Sequence, residues 1–249
     1  MKKLIVTMLI CGMTVSMCAC GSKAEEAAPA ETTVAVEEAT TVAEETTVAE
    51  TTEEATEAGT TAEAEGTVTG IVTDASMTNM MIQAEDGTFY MFTEDDNTDV
   101  SCADGILLGE VVDVAFTGTQ EAGDAVAVTV SDSTVTAKAD REALEFAISV
   151  IQTMQFMDQD TLGTMMTYPT YVSVGDIDDT IADADAFKAL DRDTLFSQDL
   201  VVAISDYNLF NLESSEAGYV IGDGKPNVIF KEDTTNSFGF GITGINGNK

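Results

Sequence analysis

The chain has 249 residues and a formal net charge of −35 at pH 7, with 45 acidic residues against 10 Lys and Arg. A nucleic-acid-binding protein needs a basic surface to neutralise phosphates, and an anionic membrane surface repels a chain of this charge. The sequence has no histidine, so it lacks the commonest general base and a common zinc ligand. These facts exclude nucleic acid as a partner and attachment to lipid headgroups through charge.

The first residues have the form of an export signal. Lys2 and Lys3 precede an apolar run of 14 residues, 4–17, which is too short for a membrane-spanning helix of about 20 residues. A positive start, a short apolar run and a small residue, Ala19, predict a signal peptide over residues 1–19. The alternative, a buried helix of a cytosolic domain, is disfavoured because the next forty residues offer nothing for it to pack against.

The end of this signal carries a family resemblance. The sequence "MCAC" at 17–20, followed by Gly21 and Ser22, resembles the lipobox of bacterial lipoproteins. The resemblance implies cleavage before Cys20 and a lipid on its sulfur, which would hold the mature chain on the outer face of the cell membrane; a membrane of the Gram-positive type is expected. Cys18 fits this role less well, because bulky Met17 would then precede the lipidated cysteine. Cys102 would be the one remaining thiol, so no disulfide framework is expected.

Residues 20–66 are predicted to form a disordered acidic tether. The sequence Thr-Thr-Val-Ala recurs at 32, 40 and 46, and 13 glutamates with no basic residue lie between Glu25 and Glu65. Like charges repel along each face of a helix, and β-branched residues disfavour one. As a flexible coil the tether would span on the order of 35–40 Å. Its composition also permits O-linked sugars on threonine.

Residues 67–137 are predicted to form a small antiparallel β-barrel. Five runs rich in Val, Ile, Thr and aromatics are separated by turn signals such as Asp86-Gly87; they are "TVTGIVTD", "MTNMMIQAED", "TFYMFTED", "EVVDVAFTG" and "AVAVTVSD". Their order resembles an OB-type barrel. OB folds often stack bases on aromatics, here Phe89, Tyr90 and Phe92, but the predicted surface has no positive charge. A core-filling or spacer role is therefore favoured over a ligand site.

Residues 138–249 are predicted to form an α+β domain. Asp140 is a suitable N-cap for an amphipathic helix in "REALEFAISVIQTMQFM", and further helices are expected in "DTLGTMM", "DADAFKAL" and "RDTLFSQDLVVAISDY". Strands are expected in "YPTYVSVG", "AGYVIG", "PNVIFKE" and "SFGFGITGIN". The order, "YPTYV" and "AGYVIGDGKPNVIF" resemble the NTF2-like, cystatin-like cone fold. The whole chain is thus predicted to be α+β, with two domains that fold independently.

The cone resemblance implies either an enclosed apolar ligand or an association module. The residues expected to line such a pocket are Tyr168, Tyr171, Phe187 and Phe230. Tyr168, Tyr171 or Asp176 could act in proton transfer if buried, although packing of the tyrosines between sheet and helices is the favoured interpretation. No nucleophile-elbow, P-loop or zincin motif is present.

Three further candidates are disfavoured by the sequence. Cys102 is expected to be a semi-buried apolar residue and not a nucleophile. The carboxylates of 94–99 lack the ligand spacing of a calcium loop, and "GDGKPN" is typical of a hairpin turn. No cofactor is expected. The sequence favours an exported, lipid-anchored, non-catalytic module that binds an envelope protein or other partner; the alternative is a surface enzyme or small-ligand carrier using the cone.

Overall fold

The structure is a computed structural model that describes residues 63–248. The predicted signal peptide, the lipidation site Cys20 and nearly all of the predicted tether lie outside the described residues. Within residues 63–248 there are two β-sheets and five α-helices, which confirms the predicted α+β class. No helix in this part of the chain is long and apolar enough to cross a membrane.

The first sheet is built from the N-terminal part of the described chain. Its strands are β1 (Gly66–Ala75), β2 (Asn79–Ala84), β3 (Phe89–Thr93), β4 (Asp99–Val100), β5 (Val111–Thr117) and β6 (Val126–Asp132). The five predicted strands are confirmed, and the two-residue β4 is an addition. Gly87 stands at φ +84° in the β2–β3 turn, where a residue without Cβ adopts the left-handed conformation at little cost.

The first sheet closes on itself. Its order is β3-β2-β1-β5-β6-β4, and a further parallel pairing of Thr93 with Val126 joins β3 to β6. β1 is antiparallel to both β2 and β5, and β2 is antiparallel to β3. The enclosed core includes Met80, Ile82 and Phe92, all at most 1% exposed. Closure leaves the first half of the molecule with one apolar interior and one outer face.

The second half begins with helices. They are α1 (Arg141–Gln155), α2 (Gln159–Thr164), α3 (Ala184–Lys188), α4 (Arg192–Leu195) and α5 (Gln198–Ser205), and a 3₁₀ turn (Leu209–Asn211) follows. Asp140 is the N-cap residue of α1, as predicted, although its side chain makes no capping hydrogen bond. The segment 192–207, predicted as one helix, is divided at Phe196 and Ser197, where a C-cap and a new N-cap interrupt it.

The second sheet packs against these helices. Its strands are β7 (Met166–Val174), β8 (Ile177–Ile181), β9 (Tyr219–Ile221), β10 (Asn227–Glu232) and β11 (Phe240–Asn246), in the order β8-β7-β11-β10-β9. The three predicted C-terminal strands β9, β10 and β11 are confirmed and form an antiparallel meander, in which the "GDGKPN" turn joins β9 to β10. Two features were not predicted: β11 pairs with β7 in parallel, and β8 is an additional strand antiparallel to β7.

A buried glutamine links the two halves. Gln83 of β2 is fully buried; its Nε2 donates to the carbonyl oxygen of Tyr207 at 3.0 Å, and its Oε1 accepts from the N–H of Leu209 at 2.8 Å. Gln152 of α1 donates to the carbonyl oxygen of Thr73 at 3.1 Å. Ile71 of β1 belongs to the apolar core of the second half. The halves therefore share a satisfied polar contact and part of one core.

Candidate interaction surface

Strands β1–β3 place alternate side chains on the two faces of the first sheet. The strand register pairs Met80 with Phe92, and both of these side chains point into the closed core. The intervening positions must therefore lie on the outer face. These positions form two rows across the three strands, Ile71–Gln83–Phe89 and Asp74–Met81–Met91.

The two rows have different surroundings. The second half of the molecule covers Ile71 and Gln83 completely, whereas Phe89 at the end of the same row remains 44% exposed. The other row is open, and Met91 is 59% exposed. We call Met81, Phe89 and Met91 the methionine surface. It begins where the cover provided by the second half ends.

A narrow crevice borders the methionine surface. Its apolar walls come from the β2–β3 hairpin and from α1, and Gln152 and Gln155 supply the polar edge. The full lining is Thr73, Met81, Phe89, Ile148, Ile151, Gln152, Gln155, Tyr207 and Leu209. Its volume is about 40 Å³. One water needs roughly 10–15 Å³, so the crevice holds about three waters, which is comparable to one aliphatic side chain. A surface of this shape favours insertion of a single apolar anchor.

The open edge of β3 is blocked beside Met91. The N–H of Met91 donates to Oε1 of Gln120 at 2.9 Å, and Nε2 of Gln120 donates to the carbonyl oxygen of Met91 at 2.8 Å. The glutamine amide thus satisfies both backbone groups that another strand would pair with. Contact at this place must use side chains of the sheet face and not addition of a strand at the edge.

The charged residues of strands β1–β3 and of the turns between them are all negative. Asp74 lies in the same row as Met81, and Glu85 and Asp86 are in the turn that leads to Phe89, where they line an open cleft on the other side of that turn. The N–H of Thr88 donates to Asp86 at 2.9 Å and lowers the pKa of that carboxyl, which keeps it ionised near neutral pH. Residues 66–132 contain no Lys or Arg. The apolar surface is therefore flanked by uncompensated negative charge.

The structure does not bring the four predicted pocket residues together around an opening. Phe187 and Phe230 are fully buried, and Tyr171 is 43% exposed with its hydroxyl bonded to Asp178. The ring of Phe230 lies 5.0 Å from those of both Phe146 and Tyr219 and 5.7 Å from that of Phe240. Aromatic side chains thus fill this part of the core.

Tyr168 is held by a local contact. Its hydroxyl donates to the carbonyl oxygen of Gly163 at 3.1 Å, and burial raises the pKa of the phenol. Asp176, considered as a proton-transfer group, is exposed. A neutral tyrosine and an exposed carboxylate give no paired acid and base. These positions therefore show packing and not catalytic geometry.

Cys102 is half-buried and packs against the core of the first sheet. Burial, together with the charges of Asp132 and Glu110, raises the pKa of its thiol to about 11. The nucleophilic form of cysteine is the thiolate. At neutral pH this thiol is protonated, which agrees with the predicted apolar role.

Three carboxylates in the second half cap helices. Asp158, Asp183 and Asp191 are N-cap residues whose side chains accept from backbone N–H groups of α2, α3 and α4. In the first half, Asp95 of the acidic loop 94–99 accepts from the N–H of Asn97 at 2.8 Å. Within residues 63–248 no group of three or more cysteine or carboxylate side chains is placed to hold a metal ion.

The aromatic surface expected on the first sheet is only partly present. Phe92 is fully buried in the core, so its assignment to the surface was wrong, whereas Phe89 is exposed. Tyr90 lines an open cleft of about 490 Å³ on the other side of the β2–β3 turn, together with Thr69 and Phe210. The methionine surface was not predicted. Alternation in "NMMIQA" and "FYMFT" places Met81 and Met91 on the face opposite Phe92, which is the signal that could have revealed it.

Comparisons with known proteins add little. No family model matches the chain, and no curated protein matches it. Among solved structures, a crystal structure of Ag(I)CusF is similar to part of the chain: it is 17% identical and covers 27% of this chain and 95% of that chain, with a TM-score of 0.23. A similarity this low carries no argument about fold or metal binding.

Proposed function

We propose that this chain is an exported, lipid-anchored protein of the cell surface whose folded part is a non-catalytic interaction module. The observation that carries the proposal is the methionine surface: apolar side chains that are exposed beside a crevice, on a fold whose cores are filled by their own side chains. Neighbouring apolar side chains that are exposed together are a common feature of interaction sites. Methionine is suited to such contacts because its side chain is flexible and polarizable.

The anchor belongs to the same proposal. The lipobox resemblance at Cys20 supports lipid attachment, and residues 20–66 would act as an acidic tether that keeps the folded part away from an anionic bilayer. A surface module on a long tether can reach partners in the envelope. The second candidate, a ligand carrier with an open cone lined by Tyr168 and Phe230, receives no support from the packed aromatic core.

Two finer assignments of fold are also proposals. The closed series β1-β2-β3-β6-β5 supports an OB-like barrel for residues 67–137, because β1 pairs with both β2 and β5 while β3 meets β6 in parallel. The mixed sheet β8-β7-β11-β10-β9 with α1 among its core-forming elements supports an NTF2-like domain for residues 138–249.

The interaction proposal can be tested by photocrosslinking in intact cells. A photoreactive amino acid replaces Met91 in one strain and Val202 in another, because Val202 is similarly exposed, at 48%, on helix α5. We expect a discrete crosslinked product from position 91 and none from position 202. Equal products from both positions, or none from either, would contradict the assignment of the contact face.

The anchor is tested separately. We expect Cys20→Ser to leave the protein unprocessed or released from membranes, and Cys18→Ser to be anchored like the unaltered protein. Membrane fractionation with mass spectrometry of the mature N-terminus measures both. A fully processed Cys20→Ser protein that stayed on membranes would refute the lipoprotein assignment and leave the contact face untouched.

A further inference from the structure

The charges around the methionine surface restrict its partner. Asp74 lies beside Met81 in the strand register. Glu85 and Asp86 occupy the turn before Phe89 and line the cleft on its other side, and the whole first sheet lacks a cation. An acidic partner would be repelled by these carboxylates, and a purely apolar one would leave them without compensation at the rim. Complementary chemistry requires apolar groups flanked by positive charge.

The shape of the surface restricts the partner further. The blocked edge at Gln120 prevents a partner from adding as a strand beside β3. The crevice between the hairpin and α1 accepts about one side chain, and the exposed Met91 and Phe89 extend the apolar area beyond it. An amphipathic helix carries a row of apolar side chains on one face. One of these side chains can enter the crevice while the next ones contact the methionine surface.

We infer that the methionine surface binds a cationic amphipathic helix, with its apolar face on Met81, Phe89 and Met91 and its Lys or Arg residues beside Asp74. This inference rests on the proposed function and names the class of partner. Four of the six Lys and Arg residues in the described chain are engaged elsewhere: Lys138 and Lys188 pair with Glu213 and Asp160 at 3.4 and 3.2 Å, and Arg141 pairs with Glu142 and Glu145 on α1. Arg192 donates to the carbonyl oxygen of Met157.

The acidity of the whole chain dictates how the inference must be tested. A net charge of −35 attracts any cation weakly, so binding of a cationic peptide alone proves nothing about the site. The full-length chain, purified in detergent, is therefore titrated with three fluorescent peptides of equal length. One is an amphipathic Lys/Leu helix, one has Glu in place of every Lys, and one has Ser in place of every Leu.

We expect the Lys/Leu peptide to bind at least tenfold more tightly than the other two. The double variant Phe89→Gln with Met91→Gln, which keeps the charge of the protein, should weaken its binding at least tenfold. Val202→Gln, which removes an exposed apolar side chain on helix α5, should leave binding unchanged. Asp74→Asn should weaken binding and reduce its dependence on salt.

Other outcomes overturn the inference. Equal binding of the Lys/Ser peptide, or full binding to the double variant, would mean attraction by bulk charge. Tighter binding of the Glu/Leu peptide, or self-association of the protein that the double variant abolishes, would assign the surface to an acidic partner or to a second copy. If no peptide binds while Met91 still yields its crosslink in cells, the class of partner is wrong and the proposed function stands.

Discussion

The two halves of the described chain bury their sheets in different ways. The first sheet closes around a small core, and its outer face is half covered: Gln83 is fully buried against the second half, whereas Met91 in the neighbouring strand is 59% exposed. The second sheet packs against helices and holds an aromatic cluster around Phe230. Because the closed sheet fills its own core, Phe89 and Met91 on its outer face are not part of that core and stay exposed. We therefore place the proposed interaction on the closed sheet.

The largest expected effect comes from the two cores. Phe230→Ala and Phe92→Ala each remove a fully buried ring, and each should lower the free energy of unfolding by about 3–5 kcal/mol. The sequence predicts two independently folding domains, but the shared contacts of Ile71 and Gln83 lead us to expect a single transition in both variants. Urea unfolding followed by circular dichroism measures this. Two separate transitions would show that the shared contact does not couple the halves.

The second prediction contrasts two glutamines that each make two hydrogen bonds to the backbone. Gln83→Leu leaves the N–H of Leu209 and the carbonyl of Tyr207 unpaired in a buried place, and should cost about 2–4 kcal/mol. Gln120→Leu at the exposed edge of β3 should cost less than about 1 kcal/mol, because water replaces the amide. Equal losses would contradict the view that burial makes the contact between the halves important.

The third prediction concerns Cys102 in the first half. A thiol pKa of about 11 in place of 9.0 means about a hundredfold less thiolate at pH 8, so alkylation should be slower in the folded protein by about that factor. Because the folded pKa is raised, the stability contribution is complete below pH 9 and is lost as the pH rises towards 11. Alkylation quenched at a series of times and followed by mass spectrometry measures the rate, and the urea-unfolded protein is the control. Equal rates would refute the burial of this thiol.

The smallest effect is expected at the end of α1 in the second half. Met157 follows the C-cap Phe156 at φ +50°, a left-handed conformation that costs a residue with Cβ free energy. Met157→Gly should therefore raise the free energy of unfolding by about 0.5–1 kcal/mol, whereas Met157→Ala should not. Denaturation midpoints compare the variants. If Met157→Ala also stabilised the protein, the unfavourable free energy at this position would come from the methionine side chain and not from the backbone conformation.

Local patterns were sufficient for much of the fold. Val and Ile alternating between Asp-Gly and Gly-containing turns predicted five strands of the first sheet, and the spacing of Leu144, Ile148 and Ile151 predicted α1. The edge strand β8 was missed because "IDDTI" has three exposed polar residues between its isoleucines. The break between α4 and α5 at Phe196 and Ser197 was also missed, because the apolar periodicity runs through it and does not show where one helix is capped and the next begins.

By itself, the sequence of this protein determined the acidic charge, the lipobox resemblance at Cys20, the α+β class and the periodicity of most elements, because these depend on composition and on neighbours along the chain. Only the tertiary structure decided that Phe187 and Phe230 fill the core, and that Gln83 is covered while Met81 and Met91 border an open surface. Alternation along a strand tells which residues share a face. Whether that face is covered depends on α1 and on Tyr207, which are far away in the sequence.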